Sequence, residues 1–450
     1  MTGDGNGFSI MSALYHYSPV CSLRDDFLCY NTTVKQNDFE LLEKSLDTTH
    51  RKLLHLVSDN ATQRGSPLYI VGGSVRDLVL GRRLNDFDLT VEGDAIALAR
   101  SLASKYGGAV TVHTKFGTAK WFLPETLKTG HDALDFNSAR SETYKHPAAL
   151  PTVSPGSLID DLRRRDFTIN ALAVRLDGSH FGELRDDFNG MDDLQNGIIR
   201  VLHRRSFMDD PTRMYRAVRY EGRYGFNIAE DTLALIPEAR PFVEKLSAQR
   251  IRHELDLILE EPNAVSMLKR LDEFDLLSVI HPVLANFNKS SLAAVTSDDA
   301  VLQNRNSRWV LWLMHLKDQE IEFLNERLHF PADLLKILHS AALLNANLTA
   351  VVGLKPSKVV EMLESYSIKA LEVLSRAAQD EEIKSILSKY LSEWWHVKPK
   401  TTGHDLKKRG IPPGPKYTEI LRRLRAAWLD GQIKTDEEEK ALLNNLLEKA

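Results

Sequence analysis

Residues 68–94 have the sequence LYIVGGSVRDLVLGRRLNDFDLTVEGD, and this stretch decides the fold of the first half of the chain. The apolar run LYIV predicts a buried strand, and Gly72 and Gly73 follow it directly. Glycines here let the backbone turn sharply and approach a ligand closely. SVRDLVLG then predicts a short helix, whose first N–H groups, together with Arg76, suit the phosphates of a nucleoside triphosphate. The pattern therefore predicts a strand, a turn and a helix built around a triphosphate.

The second half of this stretch carries two carboxylates on a predicted strand. Asp86 and Asp88 flank Phe87, and residues i and i+2 of a strand point to the same face. Two such carboxylates, with substrate phosphates, can hold Mg²⁺. Asp135, in the strand-like segment ALDFNSA, is a candidate third catalytic carboxylate. By itself NDFD is equally typical of a polar strand edge or turn. Beside the glycine turn, it favours a site for two Mg²⁺ ions that activate an attacking hydroxyl and stabilise a leaving pyrophosphate.

The composition is that of a soluble globular protein. The 450 residues are 43% hydrophobic and 27% charged, with a formal net charge of -4, so any polyanion site must be a local patch. The only two cysteines, Cys21 and Cys29, exclude a disulfide framework and a four-cysteine zinc site. The first residues lack a signal-peptide pattern, and we find no later apolar stretch of ~18 residues, the length of a membrane span. We therefore expect a cytoplasmic protein.

The hydrophobic pattern changes character along the chain. Residues 38–60 predict one amphipathic helix, and strand patterns alternate with a helix between residues 68 and 185. After Phe188 almost every segment has helical spacing, which indicates an α+β protein with a mixed-sheet head and a long helical body. We divide the chain into an N-terminal extension (1–65), a mixed-sheet head (66–188), a helical domain that follows it (189–285) and a helical body and tail (286–450).

Two downstream segments carry charges suited to a nucleotide. In DLRRRDFTINALAV, Arg165 offers a cation to a phosphate and Asp166 an acceptor to a ribose hydroxyl, although a surface salt bridge is the alternative. In DDPTRMYRAVRYEGRYG, an aspartate caps a predicted helix that starts near Pro211. Three arginines then recur on one broad face of this helix, namely Arg213, Arg216 and Arg219.

The aspartate and the first arginine of this helix have complementary hydrogen-bonding chemistry. Asp210 accepts from an exocyclic amino group, and Arg213 donates to ring nitrogen or carbonyl acceptors. Such a pair can copy the Watson–Crick edge of a partner base and select cytosine or adenine. The alternative for the whole arginine stripe is a solvated basic helix face.

A basic cluster near the C-terminus is a candidate RNA-binding patch. It contains Lys407, Lys408, Arg409, Lys416, Arg422 and Arg423. Such a patch suits a phosphodiester backbone and predicts salt-sensitive binding. Trp394 and Trp395 lie just before it, and we interpret them as packing residues rather than base-stacking ones. The segment ARSETYKHPAALPTVSPGSLIDD (139–161), rich in Pro, Ser and Thr, predicts a mobile loop.

Four of these motifs together resemble one known family. LYIVGGSVRDLVLGRRLNDFDLTVEGDA resembles the nucleotidyltransferase signature of class II tRNA nucleotidyltransferases and bacterial poly(A) polymerases, within the polymerase beta superfamily. DLRRRDFTINALAV is similar to the family's ribose-recognition motif and DDPTRMYRAVRYEGRYGF to its base-template motif. SAQRIRHELDLIL resembles the helix that follows. Asp209 stands where the family has glutamate, which is thought to support the template arginine.

The resemblance implies an activity and its substrates. It implies transfer of nucleotides from CTP and ATP to the 3′ end of tRNA to build or repair CCA, with release of pyrophosphate. It also implies Mg²⁺ on Asp86 and Asp88, ribose contact by Arg165 and Asp166, and base selection by Asp210 and Arg213. The alternatives are CC-only or A-only addition, poly(A) polymerase activity, or an inactive RNA-binding module of the same fold.

Overall fold

The computed structural model describes residues 46–82, 87–128, 132–285, 292 and 299–448. Its first part is built on a seven-stranded mixed sheet with the order β3-β4-β5-β2-β1-β8-β9. The strands of this sheet are β1 Leu68–Val71, β2 Asp88–Val91, β3 Ala109–His113, β4 Thr118–Phe122, β5 Ala133–Ser138, β8 Ala173–Arg175 and β9 Leu184–Arg185. Two further pairs are the hairpin β6 Arg140–Thr143 and β7 Thr152–Pro155, and the parallel pair β10 Ile198–Ile199 and β11 Asn227–Ile228.

One strand pair of the large sheet positions the predicted carboxylates. β2 and β5 are parallel, and their register places Asp88 beside Asp135. β1 is antiparallel to both β2 and β8. The turn after β1, the start of β2 and the segment before β8 therefore meet at the same end of these three inner strands.

Short helices accompany the sheet. They are α1 Thr48–Gln63, α2 Gly73–Val79, α3 Ala95–Tyr106, α4 Leu158–Arg163 and α5 Gly190–Asn196. α1 packs against α3, and α3 packs against β3, β4 and β5. α1 realises most of the amphipathic helix predicted for residues 38–60, whereas residues 38–45 lie outside the described part of the chain.

Helices form nearly all of the chain after β10. The first are α6 Ser206–Asp209, α7 Thr212–Tyr224, α8 Glu230–Leu233, α9 Ile236–Ala239, α10 Ala248–Glu260 and α11 Ala264–Glu273. They are followed by α12 Ala300–Gln303, α13 Arg305–Leu313, α14 Asp318–Leu328, α15 Ala332–Asn347, α16 Pro356–Leu363, α17 Ile368–Ala377, α18 Glu381–Ser392, α19 Gly403–Lys408, α20 Pro415–Leu429 and α21 Asp436–Glu448. The predicted α+β architecture, a mixed-sheet head followed by a helical body, is confirmed.

The segment predicted to be a mobile loop (139–161) contains the strands β6 and β7 and the start of α4, so the prediction of a loop throughout is wrong; residues 144–151, between the two strands, lack a helix or strand. β6 pairs with β7, and Ser157 forms a capping box with Asp160 at the start of α4. Glu142 on β6 ties the hairpin to α4, because its carboxylate pairs with Arg164 at 3.1 Å. The Pro and Ser content of the segment is typical of a loop, and it indicated no secondary structure. The ion pair that holds the hairpin joins residues 22 positions apart, which local composition does not reveal.

The expectation that no stretch is apolar enough to span a membrane is also wrong. Residues Ala332–Val351 have a mean hydropathy of 1.3 over a helix of 20 residues. This helix, which contains α15, packs against α13, α14 and α17 in the helical body. A core helix passes the same test of length and composition, and the contacts of α15 fit that role.

Candidate active site

A cavity of about 580 Å³ lies where this end of the inner strands meets α7 and α10. Its volume falls within the range of roughly 300–1,000 Å³ that is usual for small-molecule sites. Six arginines line the cavity: Arg76, Arg164, Arg165, Arg213, Arg216 and Arg250. Five carboxylates share the wall with them: Asp88, Glu142, Asp166, Asp210 and Glu254. This density of cations suits a polyphosphate, and the carboxylates keep the cations in place.

The glycine turn has the backbone shape that the sequence predicted. Gly72 has φ 71° and ψ -130°, a conformation that is open to glycine, and it precedes the first residue of α2. Its N–H donates to the carbonyl of Leu172 at 2.9 Å. A Cβ on Gly72 would overlap the guanidinium of Arg165. The glycine therefore makes room for Arg165 at the cavity, beside Gly73 in its wall.

Arg165 and Arg164 are held by one buried carboxylate. Asp161 accepts from Arg165 at 3.0 Å and from Arg164 at 2.8 Å. Its side chain is only 1% exposed. Both guanidinium groups are thus fixed from behind, at the end of α4, while they face the cavity.

Arg76 lies in the cavity wall, and most of its donors are used within the chain. Its Nε and Nη2 donate to Asp77 at 3.0 and 2.9 Å, and its Nη1 donates to Asn170 at 2.5 Å. The guanidinium also lies over the rings of Tyr220 and Tyr224 on α7, at 5.3 and 4.8 Å. Burial lowers the pKa of Arg76, but Asp77 and the two tyrosines outweigh burial, so this pKa is raised overall. Arg76 therefore joins α2 to α7 as well as facing the predicted phosphate position.

The two described carboxylates of the predicted metal site come from neighbouring strands. Asp88 begins β2 and lines the cavity, and the register places it beside Asp135 on β5. Lys120 on β4 lies 3.2 Å from Asp135. Asp86 lies outside the described residues, and within them no three metal-ligating side chains cluster. Carboxylate oxygens from adjacent strands are a donor set that fits Mg²⁺.

The predicted ribose contact belongs to a buried network. Asp166 is 8% exposed and accepts from Asn170 at 2.8 Å. Its second oxygen accepts from Nε of Arg216 at 2.8 Å. Burial raises the pKa of the Asp166 carboxyl, but Arg216 and Asn170 outweigh burial and hold it below its usual value. Asp166 is therefore ionised at neutral pH and positions Arg216 in the wall.

The two predicted base-selecting residues both line the cavity, each fixed by neighbours. Asp210 accepts from the Thr212 N–H at 3.0 Å and from Nη2 of Arg250 at 2.6 Å. Arg213 is 5% exposed. Its two terminal nitrogens donate to the Ser206 hydroxyl and to the Arg164 carbonyl, both at 2.6 Å.

Asp209, where the family has glutamate, lies beside a different arginine. Its carboxylate is 3.6 Å from the guanidinium of Arg205. Arg213 is instead held by the hydroxyl of Ser206 and by a main-chain carbonyl. In this chain, therefore, the position of the predicted template arginine is supported by groups other than the residue before Asp210.

Arg219, the last arginine of the predicted stripe, is not part of the cavity wall. It is 5% exposed and lies 3.8 Å from Glu261. Arg213 and Arg216, by contrast, line the cavity. The helix thus turns only part of its predicted arginine face toward the site.

Sequence reasoning missed the contribution of α10. Arg250, His253 and Glu254 occupy successive positions on one face of this helix and line the cavity. The signal was present, since a spacing of three and four residues places side chains on one helix face. What the pattern could not show is which helix that face contacts.

Glu254 is an unusual member of this group. It is 5% exposed, and its Oε2 is buried without a hydrogen-bond partner among the described residues. Burial raises the pKa of its carboxyl, and the charge of Arg216 counteracts only part of that effect. A buried acceptor without a partner is costly in free energy.

The predicted RNA-binding residues lie on α19, on α20 and in the turn between them. Lys407, Lys408 and Arg409 occur at the end of α19, and α19 packs against α20. On α20, Arg422 and Arg423 both donate to Glu419, at 2.8 and 2.6 Å. These ion pairs are exposed, so they contribute little stability and can exchange for phosphates. The patch is thus less positive than its sequence indicates.

Comparison with known proteins places the chain in a family. Residues 68–200 match the family described as "Poly A polymerase head domain". Residues 225–288 match the family described as "Probable RNA and SrmB- binding site of polymerase A".

Curated relatives and a solved structure agree with these matches. An A-adding tRNA nucleotidyltransferase of Geobacter sulfurreducens is 35% identical over 95% of this chain, which spans only 52% of that relative. One from Halalkalibacterium halodurans is 32% identical, covering 89% of this chain and 94% of the relative. A solved Thermotoga maritima CCA-adding enzyme complexed with tRNA-CCA superposes with a TM-score of 0.72 at 28% identity, covering 92% of this chain and 98% of that one.

The mixed-sheet head and the cavity that it shares with α7 and α10 define a nucleotidyltransferase. The chain belongs to the tRNA nucleotidyltransferase and poly(A) polymerase family. The family membership that the sequence motifs predicted is thereby confirmed.

Proposed function

We propose that the chain adds nucleotides of the CCA end to the 3′ terminus of tRNA, using CTP and ATP without a nucleic-acid template. The observation that carries this proposal is the shared cavity: Asp88, from the strand that bears the predicted metal site, and the base-selecting pair Asp210 and Arg213 line the same space. A nucleotide in that space would have its phosphates near Asp88 and its base near Asp210 and Arg213.

The chain's own groups account for binding and selection. Arg165 and Arg76 would face the phosphates near Gly73, and the 2′-hydroxyl would approach the network of Asp166 and Arg216. Asp210 would accept from the amino group of cytosine or adenine, which guanine and uracil do not present at that position, and Arg213 would donate to a ring acceptor. Arg250 and Thr212 would fix Asp210 in this orientation.

The reaction is a displacement at phosphorus. The terminal ribose hydroxyl of tRNA attacks the α-phosphorus, the new P–O bond forms, and the bond to the bridging oxygen breaks with release of pyrophosphate. Mg²⁺ held by Asp86 and Asp88, with Asp135 as a further carboxylate, would neutralise the charge that develops on the phosphates. The division into head (66–188), base-recognition domain (189–285) and tRNA-binding body (286–450) is part of this proposal.

A second candidate, addition of A alone, has a specific observation in its favour. Both relatives described above, at 35% and 32% identity, are named A-adding enzymes. The base-selecting pair accepts either cytosine or adenine and does not separate the two candidates. CCA addition requires this chain to use CTP, whereas addition of A alone does not.

Substitution of the metal-site carboxylates tests the proposal. Asp88→Asn and Asp86→Ala should each lower the rate of incorporation about 100-fold or more, because metal stabilisation of transition-state charge contributes several kcal/mol. Binding of tRNA, measured by gel shift, should stay near that of the unaltered chain. Asp132→Asn is the matched control, since that carboxylate is exposed and contacts Lys128 rather than the cavity. Undiminished incorporation in Asp88→Asn would refute the site.

A further inference from the structure

A second cavity, of about 500 Å³, lies in the C-terminal part of the helical body. It is lined by Glu364, Trp395, His396, Lys398 and Arg425. It forms where the end of α16, the face of α20 and the turn at Trp394–His396 meet. We name it the Trp395 cavity.

The two adjacent tryptophans of this turn have different surroundings. Trp394 is partly buried and packs against the main hydrophobic core. Trp395 is 37% exposed and contributes its indole to the cavity wall. Tyr390 steadies that indole, with ring centroids 5.9 Å apart. The interpretation of both tryptophans as packing residues therefore fits Trp394 better than Trp395, whose ring is placed where a flat ligand can stack.

The charges around the Trp395 cavity favour an anionic ligand. Glu364 is paired with Arg425 at 2.9 Å, and Arg425 also donates to the Val397 carbonyl at 3.0 Å. Within the described part of the chain, Lys398 has no carboxylate within 4.0 Å, and it is exposed. The cavity thus combines a neutralised carboxylate, an aromatic face and a cation that is available to a phosphate.

Its position separates this cavity from the candidate active site. α10, which lines the active site, packs against α13; α13 packs against α17; α17 packs against α18; and α18 packs against the Trp394–His396 turn. The two cavities share no lining residue, and α13, α17 and α18 lie along this path of contacts between them. A nucleotide in the Trp395 cavity is therefore not the reacting 3′ terminus.

We propose that the Trp395 cavity binds an unpaired nucleotide from a loop of the tRNA substrate. The base stacks on Trp395 and its phosphate contacts Lys398. Proteins recognise RNA loops by such stacking on aromatic side chains. The proposal rests on tRNA being the substrate, as proposed above, and it assigns one of the contacts that would hold the body of the RNA.

The test compares binding of two RNAs in the absence of nucleotides. One is a full tRNA transcript, and the other is a two-strand duplex with the acceptor-stem sequence and a 3′ single strand but no loops. Trp395→Ala should weaken binding of the full transcript about 10-fold, because one base-aromatic stack contributes about 1–3 kcal/mol. Trp395→Phe should stay within about 3-fold of the unaltered chain. The loop-free duplex should bind all variants alike.

Matched controls isolate the cavity. Phe323→Ala removes an aromatic ring that is 42% exposed on α14 and should leave both affinities unchanged. Lys398→Met should reduce the salt dependence of tRNA binding by about one charge, whereas Lys336→Met, an exposed lysine of α15, should not. If Trp395→Ala fails to fold by circular dichroism, the two lysine variants decide the question.

The results separate this inference from the proposed function. Unaltered affinity of a folded Trp395→Ala for full tRNA, or equal weakening for the loop-free duplex, would overturn the loop-nucleotide site. Equal salt dependence of Lys398→Met and Lys336→Met would also overturn it. Extension of tRNA by the unaltered chain is measured in a separate incorporation assay. Failure to extend any tRNA in that assay would refute the proposed function instead.

Discussion

At the scale of single residues, the candidate active site is a set of charges that the chain itself holds in place. Asp166 fixes Arg216, Asp161 fixes Arg165, and Arg250 fixes Asp210. Groups that are positioned before the reaction need little rearrangement as charge develops on the phosphates. Glu254 is the exception, because it is buried beside these pairs with one oxygen that has no partner among the described residues.

This exception predicts a stabilising substitution. Burial raises the folded-state pKa of Glu254 above 4.5, so the folded chain binds this proton more tightly than the unfolded chain does. The contribution of Glu254 to the stability of the folded chain is therefore fully present below pH 4.5, and it is lost as the pH rises through the raised pKa of this carboxyl. Glu254→Gln cannot ionise, so its Tm should exceed that of the unaltered chain at pH 8 and approach it near pH 4.5.

The control for this measurement is Glu260→Gln, on the exposed face of the same helix, which should leave Tm unchanged. A lower Tm for Glu254→Gln at pH 8 would mean that the ionised carboxylate stabilises the site, for instance through Arg216. Thermal melts of the three proteins at the two pH values distinguish these results.

At the scale of elements, local patterns predicted the structure where neighbours in sequence decide it. LYIV, the glycine turn and the helix of the base-template motif form as β1, the turn before α2, and α7. The hairpin of β6 and β7 and the contribution of α10 were missed. Both depend on contacts between distant residues, such as Glu142 with Arg164 and Asp210 with Arg250. Residue type and spacing do not encode those partners.

The glycine turn yields a prediction about this element. Gly72→Ala and Gly81→Ala both place a side chain at positive φ, 71° and 68°, and each should cost about 1–3 kcal/mol of stability. Only a Cβ on Gly72 meets Arg165, whereas no atom of the described residues lies within 4 Å of a Cβ on Gly81. Gly72→Ala alone should therefore raise KM for the nucleoside triphosphate, roughly 10-fold, through loss of a charge-assisted contact. Equal KM values in steady-state incorporation would contradict this role of Arg165.

The contact between α10 and Asp210, the proposed base-selecting aspartate, gives a further prediction. Arg250→Met removes the 2.6 Å hydrogen bond that fixes Asp210. Discrimination against UTP and GTP should fall roughly 10-fold, since selection depends on the orientation of that carboxylate. Arg305→Met breaks an exposed ion pair with Glu260 of the same helix and serves as the control. Competition assays with mixed nucleotides measure the ratio, and an unchanged ratio in Arg250→Met would show that Asp210 is oriented without it.

At the scale of the whole molecule, the chain joins the candidate active site, which lies between the mixed-sheet head and helices α7 and α10, to a helical body with a second cavity. The net charge of -4 is compatible with RNA binding because the cations are concentrated locally, at the active-site cavity and near the C-terminus. The arginines of α20 are paired with glutamates, so the body would bind RNA by exchange of exposed ion pairs. In the proposed function, base selection at the cavity between the head and the base-recognition domain and RNA placement by the body are then separate tasks.

The most direct test of the central claim uses three tRNA transcripts, ending before CCA, after C and after CC, each with CTP, ATP or both. Stepwise addition of C, C and A, with a single A added to the CC-ending transcript, is the result predicted for CCA synthesis. Extension of the CC-ending transcript alone, by one A, would establish the narrower A-adding activity of the same site. Absence of any extension, or long A tails on unrelated RNA, would contradict a site that adds the CCA end of tRNA.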